Sequence, residues 1–156
     1  VPNDPDSAFR GEFLIEELRI QDAPVVAAIL DAISVVGLID QLSGQGLRFA
    51  TVDGRFRLSR DAFVLEEAAA IGGSLGISAA GLYDLNAQQI DIQGVVSPFF
   101  FLNSVGSLVS RRGEGLFGFN YSVVGPSTTP TVTVNPLSIL TPGLFREIFR
   151  RPPPTN

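Results

Sequence analysis

The side chains in this chain that could do chemistry are carboxylates. Glu16-Glu17 and Glu66-Glu67 are adjacent pairs, and Asp84 and Asp91 stand alone. Two carboxyl groups on separate strands could flank a glycosidic bond, one as acid and one as base or nucleophile. Adjacent residues on a strand point to opposite faces, so neither Glu pair makes such a site by itself. Solvated strand faces account for the same residues. The chain has no His and no Cys. A nucleophilic triad therefore lacks its base, and a zinc or transition-metal site lacks its usual ligands. Gly72-Gly73 and Gly113-x-Gly115 lack the strand–loop–helix setting and the Lys of a phosphate loop, and read as turn glycines. The expectation is a non-enzyme with no catalytic residue, no metal and no cofactor.

Composition narrows the class further. The chain has 156 residues, enough for one domain with a sizeable core. It is 45% hydrophobic and 17% charged, which is oily for a soluble domain. The most apolar stretch, from Pro24 to Leu42, still carries Asp31 and Asp40, so no membrane-spanning helix is expected. Every basic residue is Arg, and the net charge of -5 argues against nucleic acid. Arg111-Arg112 and Arg150-Arg151 are too small as clusters to change that. Absence of Cys leaves the redox compartment open. The chain opens at Val1 with no signal-peptide pattern, which reads as a piece of a longer protein.

The elements that must position any site follow from periodicity. Residues 1–8 read as a linker, 9–150 as a single domain and 151–156 as a tail. Phe13, Ile15, Leu18 and Ile20 mark a first strand with an irregularity at Glu16-Glu17. Asp22-Ala23-Pro24 reads as a helix start, with Asp22 as cap, and the helix is expected to run to about Leu42. From Leu47 to Pro98 the period is two, with breaks at Asp53-Gly54, Arg60-Asp61 and Leu85-Asn86 read as hairpin loops. The Phe99-Phe100-Phe101 run suits a short helix or an exposed apolar lip. Phe117, Phe119, Tyr121 and Val123 alternate, a turn follows at Pro126 to Pro130, and Val132 and Val134 form the last strand. Thr141 and Pro142 start a short closing helix. The expected fold is mainly β with two or three helices, an α+β arrangement. It consists of a curved antiparallel meander with an apolar concave face, one long helix near the N-terminus and a short C-terminal helix. Long apolar strand faces with few helices to cover them favour a ligand groove. Its lining candidates are Phe49, Phe56, Leu58, Phe63, Leu65, Ile77, Ile90, Ile92, Phe99, Phe101, Phe117, Phe119, Tyr121, Val132 and Val134.

Several segments in order carry a family resemblance. They are FLIEELRIQDAP from Phe13 to Pro24, LIDQLSGQG from Leu38 to Gly46, DIQGVVSP from Asp91 to Pro98, and Leu102-Asn103-Ser104. Gly113 to Phe117, Tyr121 to Gly125, Val134 to Ser138 and Pro142 to Arg146 complete the set. Together they resemble the C-terminal domain of the AsmA-like family of bacterial envelope proteins, with a departure at Phe99-Phe100-Phe101. The resemblance implies the periplasmic part of an inner-membrane-anchored protein, similar to bridge-like lipid-transfer proteins. It implies a role in phospholipid transport between inner and outer membranes or in outer-membrane maintenance. The expected partner is phospholipid or another acyl lipid, with envelope membrane proteins as further partners and no nucleic acid.

Two other readings stand beside that one. A structural or docking cap would bind an envelope protein while the helix at 24–42 fills the groove. An all-β enzyme acting on carbohydrate would rest on the scattered carboxylates. Exposed sheet edges would also allow the chain to form homo-oligomers.

Overall fold

The computed structural model describes residues 8–33, 44–73, 75–98 and 118–135. In chain order the elements are β1 (Phe9–Ile20), α1 (Pro24–Ala32), β2 (Leu47–Leu58), β3 (Ala62–Ile71), β4 (Leu75–Asp84), β5 (Gln89–Pro98), β6 (Phe119–Pro126) and β7 (Thr131–Asn135). The seven strands form one open antiparallel sheet in sequence order, with β1 and β7 at its edges. The fold is therefore mainly β with a single helix among the described residues, not the expected α+β arrangement with a long helix near the N-terminus. α1 has nine residues and stops at Ala32, because Ile33 leaves the helical region at φ -99, ψ 6. The run Ile33-Ser34-Val35-Val36-Gly37 has the apolar spacing of a helix but the stiff β-branched side chains and Gly of a poor one. The closing helix from Thr141 and the Phe99-Phe100-Phe101 segment lie outside the described residues.

The start of α1 also differs from expectation. Ala23, not Asp22, is the N-cap, and no side chain caps the free N–H groups. Asp22 instead takes φ 50, a left-handed conformation that Asp tolerates, and Pro24 fills the first turn. Packing rather than capping holds the helix. Ile29 and Leu30 are buried in one cluster with Leu47, Phe49, Leu75, Val96, Tyr121 and Val123. Each fully buried aliphatic side chain of this size contributes roughly 1.5–3 kcal/mol. The helix follows β1 yet packs against β7, so it crosses the sheet from one edge toward the other.

Two irregularities set which side chains share a face. At Glu17, φ is 54 and β1 makes no pairing with Ala50. Phe49 and Val52, three residues apart, consequently both pack into the cluster under α1. On β3 the register with β2 shifts between Arg55 and Phe56, leaving Glu66 as an extra residue. Such a bulge places two successive side chains on one side. Glu66 reaches Arg57 at 2.9 Å and Glu67 reaches Arg55 at 3.1 Å. The Glu66-Glu67 pair thus shares a face, against the expectation from simple alternation.

Following these registers outward from the core cluster sorts the paired strand residues into two faces. One face carries Phe9, Phe13, Ile15, Leu18 and Ile20 of β1, and Leu47, Phe49, Val52, Phe56 and Leu58 of β2. It continues through Phe63, Leu65, Ala70, Leu75, Ile77, Tyr83, Ile90, Ile92 and Val96. Phe119, Tyr121, Val123, Val132 and Val134 complete it. No strand residue that the registers place on this face is charged; Glu17, at the β1 irregularity, has no paired position. Arg10, Glu12, Glu16, Arg19, Arg48, Asp53, Arg55, Arg57, Glu66, Glu67, Asp84 and Asp91 all fall on the other face.

Asp53-Gly54 is not a loop but the middle of the 12-residue β2. The chain turns at Ser59 to Asp61, Leu85 to Gln88 and Ser127 to Pro130, all at one end of the sheet. Hydrogen bonds join these turns to each other. The amide of Leu85 donates to the Asp61 carbonyl at 2.8 Å, and Asn86 Nδ2 donates to Asp61 Oδ1 at 2.8 Å. The amide of Ser127 donates to the Gln88 carbonyl at 2.9 Å.

Candidate functional site

α1 covers only part of the apolar face. Phe49, Ile77, Ile92, Phe119, Tyr121, Val132 and Val134 belong to the cluster beneath the helix or pack against it. Phe56, Leu58, Phe63, Leu65 and Ile90 lie on the same face toward the turn end, away from that cluster. All of the described groove candidates therefore share one face. Among the described residues they divide between a helix-covered half and a half that no described element covers, called uncovered below. Phe99, Phe101 and Phe117 lie outside the described residues.

The uncovered half is floored by stacked rings. Phe56 lies 5.3 Å from Phe63 in a stacked pair, and 6.0 Å and 6.5 Å from Phe9 and Phe13. Glycines let these rings lie down on the sheet. Phe56 pairs across strands with Gly11, and Phe13 pairs with Gly54. A Cβ on Gly11 would stand 2.6 Å from the Phe56 ring, and one on Gly54 2.6 Å from the Phe13 ring. The rings occupy the volume that two side chains would fill, which keeps this half of the face low and broad. Phe9 is 64% exposed and Leu58 39%. Phe9 and Phe13 were not among the sequence candidates. Their signal was Gly11 between them, which marks a place where a neighbouring ring can approach the backbone.

The same device recurs under the helix with a polar group attached. Tyr121 pairs with Gly94, and its hydroxyl donates to the Ser78 carbonyl at 2.8 Å. The Ser78 hydroxyl in turn accepts from the Val95 amide at 3.2 Å. A Cβ on Gly94 would collide with the Ser78 carbonyl oxygen. The hydroxyls of Tyr121 and Tyr83 are the side-chain polar groups on the apolar face, and that of Tyr121 is satisfied by backbone.

The carboxylates have structural surroundings. Asp84 Oδ1 accepts from the amides of Asn86 and Ala87 at 2.9 and 2.7 Å, closing the β4–β5 turn. Glu66 and Glu67 are held by Arg57 and Arg55. A concavity of about 580 Å³ on the charged face gathers Glu12, Asp53, Arg55 and Glu67. Among the described residues no group of three or more acidic side chains is arranged to hold a metal ion. No described helix is long and apolar enough to cross a membrane.

The arrangement sorts chemistry by face. One side offers hydrocarbon and aromatic surface with two tyrosine hydroxyls, and the other carries the paired charges together with Leu14, Val64, Leu82, Val95 and Val124. No protein-family model matches the chain, and comparison with curated proteins and with solved structures finds no match.

Proposed function

We infer that this domain binds the acyl chains of a lipid on the uncovered half of its apolar face and performs no reaction on them. The observation that carries this is the segregation of every register-paired strand charge, and of Glu66 at the bulge, to one face of a seven-stranded sheet whose other face is, among the described residues, only partly covered by a nine-residue helix. Soluble domains rarely leave a contiguous apolar surface of that extent without a partner for it. An acyl chain suits it because the floor is built of rings and aliphatic side chains with Tyr83 as its one polar side chain among the described residues, and each methylene withdrawn from water contributes about 0.8 kcal/mol. The phospholipid headgroup would remain in water. The resemblance of the sequence to AsmA-like C-terminal domains supports the same reading. On that reading the domain belongs to the periplasmic part of an anchored envelope protein that moves phospholipid between membranes.

A docking role without lipid is the second reading. The observation in its favour is that Leu30 is wholly buried against the face. Native mass spectrometry of protein purified from bacteria separates the two. Co-purifying phospholipid, with uptake of a fluorescent phospholipid after delipidation, supports the lipid reading. Protein that is free of lipid and takes up none overturns it.

A further inference from the structure

The outer edge of β1 is the longest unpaired strand edge in the described sheet, at 12 residues against five in β7. β1 also holds an unusual share of the exposed apolar surface. Phe9 is 64% exposed, Leu14 66% and Ile15 43%, and these are the most exposed large hydrophobics among the described residues. An unpaired edge of this kind is a template for another strand. It contains no proline that would block pairing.

The charges on β1 select the occupant. We propose that β1 pairs antiparallel with β1 of a second copy of this chain about a two-fold axis through Phe13. In that register Arg10 faces Glu16 of the second copy, and by symmetry the pair occurs twice. Gly11 faces Ile15, Glu12 faces Leu14, and Phe13 faces itself. An axis at Leu14 would set Glu12 against Glu16. Like charges directly opposite on neighbouring strands are unfavourable, so that register is disfavoured. An axis between two residues would set residues of opposite faces against each other, which a two-fold normal to the sheet does not allow. An axis at Gly11 also matches Arg10 with Glu12, but it leaves Leu14 and Ile15 outside the paired region. Among registers centred on a residue, the Phe13 register alone pairs opposite charges and covers the exposed residues Leu14 and Ile15. It ends at Glu17, where the backbone at φ 54 departs from regular strand geometry. The two sheets would join with their apolar faces on the same side, since Phe13 and Ile15 meet the second copy's Phe13 and Gly11. This pairing stands independently of lipid binding.

Charge reversal with rescue tests it by sedimentation equilibrium. The intact chain should sediment at twice its mass of 16.6 kDa. Glu16→Arg and Arg10→Glu should each sediment as single chains at the same concentration. The double variant Arg10→Glu/Glu16→Arg should recover the dimer, because the reversed charges again face each other. The chain has no Cys, so Phe13→Cys can form a disulfide only with another copy. It should cross-link on oxidation, whereas Thr133→Cys on the opposite edge should not. A chain that stays single at every concentration overturns the proposal. So does a dimer that survives Glu16→Arg, or cross-linking through Thr133 in place of Phe13.

Discussion

Phe49 and Phe56 sit on one face of one strand pair, yet they should respond to truncation in opposite ways. Phe49 is 1% exposed beneath α1. Replacing such a ring by Ala removes its transfer energy and leaves a cavity, for a loss of roughly 3–5 kcal/mol. At roughly 2–4 °C per kcal/mol for a chain of this size, its melting temperature should fall by about 6–20 °C. Phe56 is half-buried on the uncovered half, in contact with three other rings. Solvent can enter the space it leaves, so the loss is confined to its ring pairs at about 0.5–1.5 kcal/mol each, partly recovered by exposure, or about 2 kcal/mol in all. Lipid retention should reverse the order. If the Phe56 ring covers about two methylenes of a bound tail, Phe56→Ala forfeits about 1.6 kcal/mol and weakens retention roughly tenfold. Phe49→Ala should bind normally per folded molecule. Urea unfolding gives the stability and fluorescent-phospholipid titration of delipidated protein gives the affinity. Equal stability losses, or unchanged lipid affinity in Phe56→Ala, would show that the ring-floored half is ordinary core.

Three further outcomes follow from the same geometry. Tyr121→Phe keeps the ring over Gly94 but removes its hydrogen bond to the Ser78 carbonyl, and should cost about 1–2 kcal/mol in urea unfolding. Gly94→Ala drives a methyl into the Ser78 carbonyl and the Tyr121 hydroxyl, and should cost more than about 3 kcal/mol, visible as loss of the cooperative thermal transition. A double-mutant cycle on Arg57 and Glu66, both partly exposed, should give a coupling of at most about 1 kcal/mol that shrinks as salt is raised.

The strand pattern was legible where alternation was regular, as from Ile90 to Val96 and from Phe119 to Val123. It failed where a single residue shifted the phase. Strict alternation from Phe63 and Leu65 would bring Glu67 onto the apolar face. The bulge at Glu66 returns it to the charged side, and nothing in the residue types alone announces a bulge. Asp53-Gly54 has the composition of a tight turn, but the glycine is there to seat the Phe13 ring, a reason that exists only once β1 lies alongside. The apolar residues after Pro24 have helical spacing beyond Ala32, yet α1 ends there with Ile33 out of helical geometry, and the rest of the expected helix, 34–42, lies outside the described residues. Most groove candidates were legible as a face because charge and alternation agree. Their division into covered and uncovered halves depends on where α1 lands, a tertiary outcome that local pattern does not encode.

The hydrogen bonds among the three turns act as a hem along one end of the sheet. Leu85 and Ser127 donate not within their own hairpins but to the neighbouring one, so these loop amides should exchange with solvent at rates closer to strand than to loop. A stitched hem also fixes the spacing of the strand ends beneath Phe56, Leu58 and Phe63. On the proposed lipid reading, a tail at this end would be accommodated by rotation of these rings rather than by spreading of the strands.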